Sequence, residues 1–211
     1  MQLYDYYRSS CAYRVRIALA LKALPYDRIP IDLTRDEHHA TYYQHYNPQA
    51  LIPTLIDAQH HLTQSLAIIE YLDESYPSPP LLPASPVERA QTRALALTIA
   101  CDIHPLNNLR VLNALRKDWN ANPEQIQRWY HLWLKEGFDA IEIQLSQYQR
   151  KQLFCFADQA TLADICLIPQ VYNAKRFEFS LAPYPTIEAI AEYCNTLPAF
   201  MDAYPRSPHD T

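Results

Sequence analysis

Glycine occurs once in this chain of 211 residues, at Gly137. Glycine is the residue that enters left-handed turns at no steric cost and lets backbone approach a ligand closely. A chain with one glycine has no glycine-rich phosphate loop, which excludes P-loop and dinucleotide-binding nucleotide sites. Its turns fall to Pro, Asn, Asp and Ser instead. Proline is abundant, with 17 residues, and five of them lie in "PSPPLLPASP" at positions 77, 79, 80, 83 and 86. Neither a helix interior nor a central strand tolerates that density. The chain therefore divides here, into a domain at 1–80, a proline-rich linker at 81–86 and a second domain at 87–211.

The two parts have different periodicities. "QLYDYY" (2–7) is short and aromatic and reads as a strand. Over 11–24, Val15, Ala18, Leu19 and Lys22 follow helical spacing, and apolar residues fill the other faces as well, as in a helix packed tightly on a sheet. "RIPIDL" (28–33) alternates as a strand. "TLID" (54–57) and "HHLT" (60–63) read as a hairpin, and "SLAIIEYLDESY" (65–76) as a helix with Ser65 as N-cap. Beyond the prolines, 87–117, 124–149, 161–176 and 186–196 all read as helices. The predicted fold class is α/β plus all-α, a β-α-β-α-β-β-α domain joined to a helical one.

Nearly half of the residues are hydrophobic, enough for a substantial core. The formal charge of -5 argues against nucleic acid, which favours a basic surface. No stretch has the length of a membrane span, and "MQLYDYY" lacks the pattern of a secretory signal. The five cysteines (Cys11, Cys101, Cys155, Cys166, Cys194) form no CxxC pair, and an odd count suits reduced thiols in the cytoplasm.

Three stretches carry candidate chemistry. Ser9-Ser10-Cys11 stand at a strand-to-helix junction, where exposed N–H groups and the positive end of the helix favour a thiolate, either that of Cys11 or that of a ligand. Helix capping alone is the competing explanation for the serines. In "NPQALIPTL" (47–55), a cis bond before Pro53 would expose the backbone of Ile52 for pairing with a peptide-like ligand; a trans proline opening an edge strand is the alternative. Gln64 and Ser65, at a helix start, are placed to hold a carboxylate or merely to cap.

In this order and spacing the three stretches resemble the glutathione-binding domain of the glutathione transferase superfamily. "SSCAYRVRIAL" with "QSLAIIEYL" resembles the zeta class, the maleylacetoacetate isomerases. "IHPLNNLRVL" (103–112), "TLADICLIPQVYNAKRF" (161–177) and "PYPTI" (183–187) extend the likeness through nearly the whole chain. It implies a thioredoxin-like N-terminal domain, a helical substrate-binding C-terminal domain, a homodimer, and glutathione used as an unconsumed cofactor. By position, Ser9, Ser10 and Cys11 are the catalytic and sulfur-binding residues. Arg14 belongs to the same glutathione motif. Ile52 would pair with the cysteinyl backbone, Gln64 and Ser65 would hold the γ-glutamyl carboxylate, and His38 would reach the glycyl end. His104, Asn108, Leu109 and Arg110 would join from the second domain. In "TLAD", Thr161 would cap a core helix with Asp164 at its third position. Two departures concern turns: Ala157 stands where the family has glycine before the aspartate, and "LIDAQHHLTQS" lacks the hairpin glycine.

The implied reaction adds the glutathione thiolate to a cis-enone dicarboxylate, so that the former double bond rotates before the thiolate leaves. It asks for an ionised thiol, donors for the developing enolate and cationic partners for the carboxylates. Ser9 is the first choice for stabilising the thiolate, with Cys11 accessory. Arg8, Arg110 and Arg176 are the candidate substrate contacts; surface or interdomain ion pairs are their competing role. Arg16 reads as a structural ion-pair former, and Cys101 and Cys166 as core. Adjacent histidines, His38–His39 and His60–His61, do not face one another on a regular helix or strand, so no metal site is expected. The same motifs suit a maleylpyruvate isomerase or a general glutathione transferase. A non-catalytic binding module would tend to lose the hydroxyl and thiol residues that this chain keeps.

Overall fold

The computed structural model describes residues 1–148 and 153–206. The chain forms two compact units, Met1–Leu81 with Leu197–Thr211, and Leu82–Thr196. On sequence the whole of 87–211 belongs to the helical domain. The structure differs: from Leu197 the chain returns to the first unit. The end of helix 124–149 expected from sequence, at residue 149, lies outside the described residues.

In the first unit a four-stranded sheet has the order β2-β1-β3-β4, with β1 at Gln2–Asp5, β2 at Asp27–Pro30, β3 at Thr54–Asp57 and β4 at His60–Thr63. β1 runs parallel to β2 and antiparallel to β3, and β3 antiparallel to β4. The parallel crossover is α1 (Ser10–Leu21), buried on nearly every face, which is why its apolar residues follow no single stripe. Short 3₁₀ turns at Leu33–Arg35 and Glu37–His39 and the one-turn α2 (Thr41–Gln44) bridge β2 to β3. The hairpin leads into α3 (Ser65–Ser75). This is the predicted β-α-β-α-β-β-α order, with strands shorter than 2–7 and 28–33 suggest. Leu3, Val15, Ile17, Leu19, Leu55, Ile68 and Leu72 form fully buried core positions.

Two buried cations, Lys22 at the C-cap of α1 and Arg16 within it, meet carboxylates. Lys22 donates to Asp73 (2.9 Å) and to the carbonyls of Tyr76 (2.6 Å) and Pro79 (2.9 Å), tying the proline segment to the ends of two helices. Arg16 bonds Asp5 (2.7 Å) and the carbonyls of Tyr7 (3.1 Å) and Ala203 (2.9 Å), and Asp5 also binds Arg28. The Ala203 bond, with the packing of α9 (Pro198–Ala203) on α1, is what draws the C-terminal stretch into this unit. Arg16 is the structural ion-pair former the sequence suggests.

The second unit is helical: α4 (Pro86–Leu97), α5 (Leu109–Asp118), α6 (Pro123–Gln147), α7 (Leu162–Arg176) and α8 (Pro185–Cys194). The continuous helix expected over 87–117 is broken. A π-helical turn spans Thr98–Ile103, Pro105 follows, and Asn108 starts a new helix by accepting from the Arg110 N–H at 3.1 Å. α7 is buried along almost its whole length. Its Asp164 accepts from the N–H and hydroxyl of Thr161 (2.8 and 2.9 Å) and from the Cys155 N–H (2.8 Å), as the "TLAD" motif implies and one loop further. Cys155, Cys166 and Cys194 are buried. Cys101, expected in the core, is exposed, because the π-helical turn carries it to the surface.

The scarcity of glycine leaves a mark on the backbone. Ala23, Asp36, Ala50, Ala58, Gln64, Asn120 and Glu178 all take positive φ among the described residues. Ala58, in the hairpin of "LIDAQHHLTQS" where the resemblance leads one to expect a glycine, has φ 51. Ala157 is not among them, so its departure from the family pattern needs no left-handed backbone.

Candidate active site

The head of α1 is set by Ser9. Its hydroxyl oxygen accepts from the Ala12 N–H at 3.2 Å, making it the N-cap. Capping and anion binding are compatible here. A hydroxyl that accepts with a lone pair still has its O–H to donate. Ser10 is buried in the first turn and Cys11 is half-buried behind it. Arg8 is exposed, its guanidinium 5.1 Å from the Tyr7 ring centre.

The head of α3 is different from the expectation. Gln64, not Ser65, occupies the N-cap position, with φ 68 and no side-chain cap bond, and Ser65 is the first helical residue. The left-handed cap turns the Gln64 side chain outward, where its amide nitrogen donates to Gln49 Oε1 at 2.9 Å. Ser65 is buried and accepts from Arg14 Nη1 at 3.3 Å. The same nitrogen lies 3.8 Å from Cys11 Sγ. Arg14 thus joins the two helix heads that sequence singles out separately, through residues 51 positions apart.

The third stretch lies beside them in chain order and in the sheet. The Ile52–Pro53 bond is cis. Ile52 precedes the first ladder residue of β3, Thr54, so its N–H and C=O fall outside the strand pairing. The loop before it is held by two residues that sequence reasoning missed. Tyr43 donates its hydroxyl to the Leu51 carbonyl (2.5 Å), and Asn47 donates to the same oxygen (2.7 Å). Asn47 also accepts from the Gln49 N–H (3.0 Å), an Asx turn that "NPQ" signals in the sequence. Burial pushes the Tyr43 phenol up from its ordinary value.

His38 is half-buried on the second 3₁₀ turn, 3.7 Å from Asp36. Burial and then the neighbouring His39 hold its imidazole below the ordinary value. The two rings are 4.2 Å apart. The rule that adjacent histidines diverge fails here because a 3₁₀ turn is tighter than a regular helix, and one ligating atom from each of Asp36, His38 and His39 lies within 4.8 Å of the others.

The remaining candidates belong to the second unit. His104 ends the π-helical turn, with Asn108 Nδ2 3.5 Å from its Nε2. Leu109 and Arg110 open α5 and are exposed. Arg176 ends α7, where its guanidinium lies over Tyr172 (5.7 Å) and Phe177 (5.8 Å). Among the described residues Arg8, Arg110 and Arg176 are in no ion pair with a carboxylate, in contrast to Arg16, Lys22 and Arg28.

Residues 3–80 match the family profile "Glutathione S-transferase, N-terminal domain". A probable maleylacetoacetate isomerase of Vibrio cholerae is 47% identical over 211 residues, covering 99% of this chain and 97% of the relative. The chain is a member of the zeta class of glutathione transferases. A maleylpyruvate isomerase of Ralstonia is 44% identical with both chains fully covered. Among solved structures, a bacterial zeta-class maleylpyruvate isomerase in its holo form superposes with a TM-score of 0.97, at 43% identity and with 100% of each chain covered. A maleylacetoacetate isomerase of Methylobacterium extorquens, solved with malonate and GSH, reaches 0.95 at 36% identity and the same coverage. The zeta-class chain has the glutathione transferase fold: a thioredoxin-like four-stranded unit and a helical one. No helix among the described residues is long and apolar enough to cross a membrane.

Proposed function

We propose that this zeta-class protein is a glutathione-dependent cis–trans isomerase that converts maleylacetoacetate to fumarylacetoacetate in tyrosine and phenylalanine breakdown, as a cytoplasmic homodimer. The observation that carries the reading is the pairing of two helix heads by one buried cation. Cys11 at α1 and Ser65 at α3 are linked through Arg14, with Ser9 capping α1 one turn ahead, in a chain whose full-length relatives bear the isomerase name.

These residues fit an anionic, thiol-bearing peptide. Buried donors on Arg14, Nε and Nη2, have no partner among the described residues, which suits an anion nearby. Bound glutathione supplies a thiolate that adds reversibly across the conjugated cis bond of the substrate. The Ser9 O–H and the α1 N-terminus stabilise negative charge on sulfur at neutral pH, with Ser10 and Cys11 beside it. Gln64 and Ser65 bind the γ-glutamyl carboxylate, the Ile52 backbone binds the cysteinyl unit, and His38 binds the glycyl end. His104, Asn108, Leu109 and Arg110 contribute from the helical domain. Arg8, Arg110 and Arg176, cations without a carboxylate partner among the described residues, hold the two carboxylates of the substrate. The relative solved with malonate, itself a dicarboxylate, supports this substrate class. In this scheme the unit built on Met1–Leu81 binds glutathione and the helical unit Leu82–Thr196 binds substrate.

A second reading has its own support. The holo maleylpyruvate isomerase superposes at a TM-score of 0.97, so maleylpyruvate is the competing substrate. Assay of the purified protein with each maleyl substrate, with and without glutathione, decides between them. Glutathione-dependent turnover of maleylacetoacetate is expected, with the higher kcat/KM. Absence of turnover of both substrates refutes the isomerase reading. Arg176→Ala should raise the KM for the substrate about tenfold and spare glutathione affinity. Equal loss of both would make Arg176 structural.

A further inference from the structure

Three cations on α1 and its C-cap are buried, and they are not alike. Arg16 and Lys22 each meet a carboxylate, Asp5 at 2.7 Å and Asp73 at 2.9 Å. Arg14 is 1% exposed and meets none among the described residues. Its Nη1 reaches only a hydroxyl oxygen and a sulfur, Ser65 Oγ at 3.3 Å and Cys11 Sγ at 3.8 Å, and Nε and Nη2 have no partner. A guanidinium does not shed its proton to escape burial. An uncompensated buried charge is expensive, so a position that keeps one is organised around an anion that the folded chain does not itself supply.

The geometry also determines what Ser65 can do. A hydroxyl has one proton and two lone pairs. Because Arg14 has only hydrogens to offer, Ser65 must be the acceptor in that bond, and its own proton is directed elsewhere. We propose that Arg14 is a positioning residue: by donating to Ser65 it fixes that hydroxyl as a donor toward the α-carboxylate of the γ-glutamyl group, and its charge favours that carboxylate through Ser65. The inference rests on the glutathione reading and deepens it. It assigns the selectivity for the γ-glutamyl carboxylate to a residue on the other helix, at the third position after Cys11, on the same face of α1.

The test is a double-mutant cycle read by calorimetric binding. The probes are glutathione and the analogue whose γ-glutamyl group lacks the α-carboxylate. Arg14→Met should weaken glutathione about tenfold and leave the analogue within about twofold. Ser65→Ala should do the same. The double variant should bind glutathione no more weakly than the weaker single variant, because both remove one relay. Arg14→Lys, which keeps a charged donor, should recover most of the discrimination; should Arg14→Met fail to fold, the cycle of Arg14→Lys with Ser65→Ala tests the same non-additivity. Equal weakening of both ligands in the Arg14 variants, or losses that multiply in the double variant, would overturn the relay. A wild-type protein that binds glutathione without preferring it to the analogue overturns the relay alone. A wild-type protein that does not bind glutathione overturns the proposed function with it.

Discussion

Gly137→Ala is the perturbation whose outcome the structure predicts against the usual rule. Gly137 lies within α6 at ordinary helical geometry, where alanine is favoured over glycine by about 1 kcal/mol. A methyl group built there would stand 2.2 Å from Ile103 Cδ1 and 2.4 Å from Ile103 Cγ1, against 3.4–4 Å for ordinary contact. Ile103 is 1% exposed at the end of the π-helical turn, so its side chain must move by about 1 Å into a packed core. Overpacking of this kind costs about 1–3 kcal/mol. With two contacts under 3 Å the cost falls in the upper part of that range, about 2–3 kcal/mol, and exceeds the gain in helix propensity, for a net loss of about 1–2 kcal/mol, or about 2–8 °C in Tm for a chain of this size. The deciding assay is urea unfolding of four proteins: wild type, Gly137→Ala, Ile103→Ala and the double variant. Ile103→Ala removes both clashing atoms and leaves its Cβ 3.9 Å away. In that background Gly137→Ala should change sign and stabilise by about 1 kcal/mol. Stabilisation by Gly137→Ala in the wild-type background, or the same sign in both, refutes the steric argument.

Other perturbations test other parts of the fold. Ala58→Gly should stabilise by about 0.5–1 kcal/mol in thermal unfolding, because φ 51 strains any residue with a Cβ. Arg16→Met should cost about 3–4 kcal/mol by urea unfolding, since it leaves the fully buried Asp5 carboxylate with Arg28 alone, itself partly exposed. His38 titrates lower in the folded chain than its ordinary 6.5, so the unfolded chain binds more protons in that window. Its contribution to stability is complete above 6.5 and is lost as the pH falls toward the folded value; His38→Gln should therefore flatten the decline in urea midpoint between about pH 7.5 and about pH 5.5.

Much of the first unit was legible from short-range pattern. The strands, the hairpin and both long helices follow from period and breaker residues, and the proline run marks the end of the unit close to Leu81. The errors have local causes. The helix expected over 87–117 ignores Pro105 and the capping Asn108. Ser65 was a reasonable N-cap by residue type, yet the cap falls on Gln64, because a left-handed residue after β4 sets where the helix begins. The return of α9 to the first unit had no sequence signal, because the bond that holds it, from Arg16 to the Ala203 carbonyl, spans 187 residues and uses a backbone acceptor that every residue has.

Residue type and spacing alone determined that no glycine loop binds a phosphate here, that two units exist, and that Ser9, Cys11, Ile52 and Ser65 sit at helix heads or a strand start. Chemistry at such positions comes from local backbone geometry, and local geometry is written in adjacent residues. Tertiary structure decided what no neighbour in the chain reveals. Arg14 and Arg16, two positions apart, have opposite fates: Arg16 is neutralised by Asp5, and Arg14 is left beside Ser65 and Cys11. The single glycine is where it is because Ile103, 34 residues earlier, occupies the space its side chain would need. Pairing and exclusion are properties of the packed chain, and they appear only when distant residues share the same few ångströms.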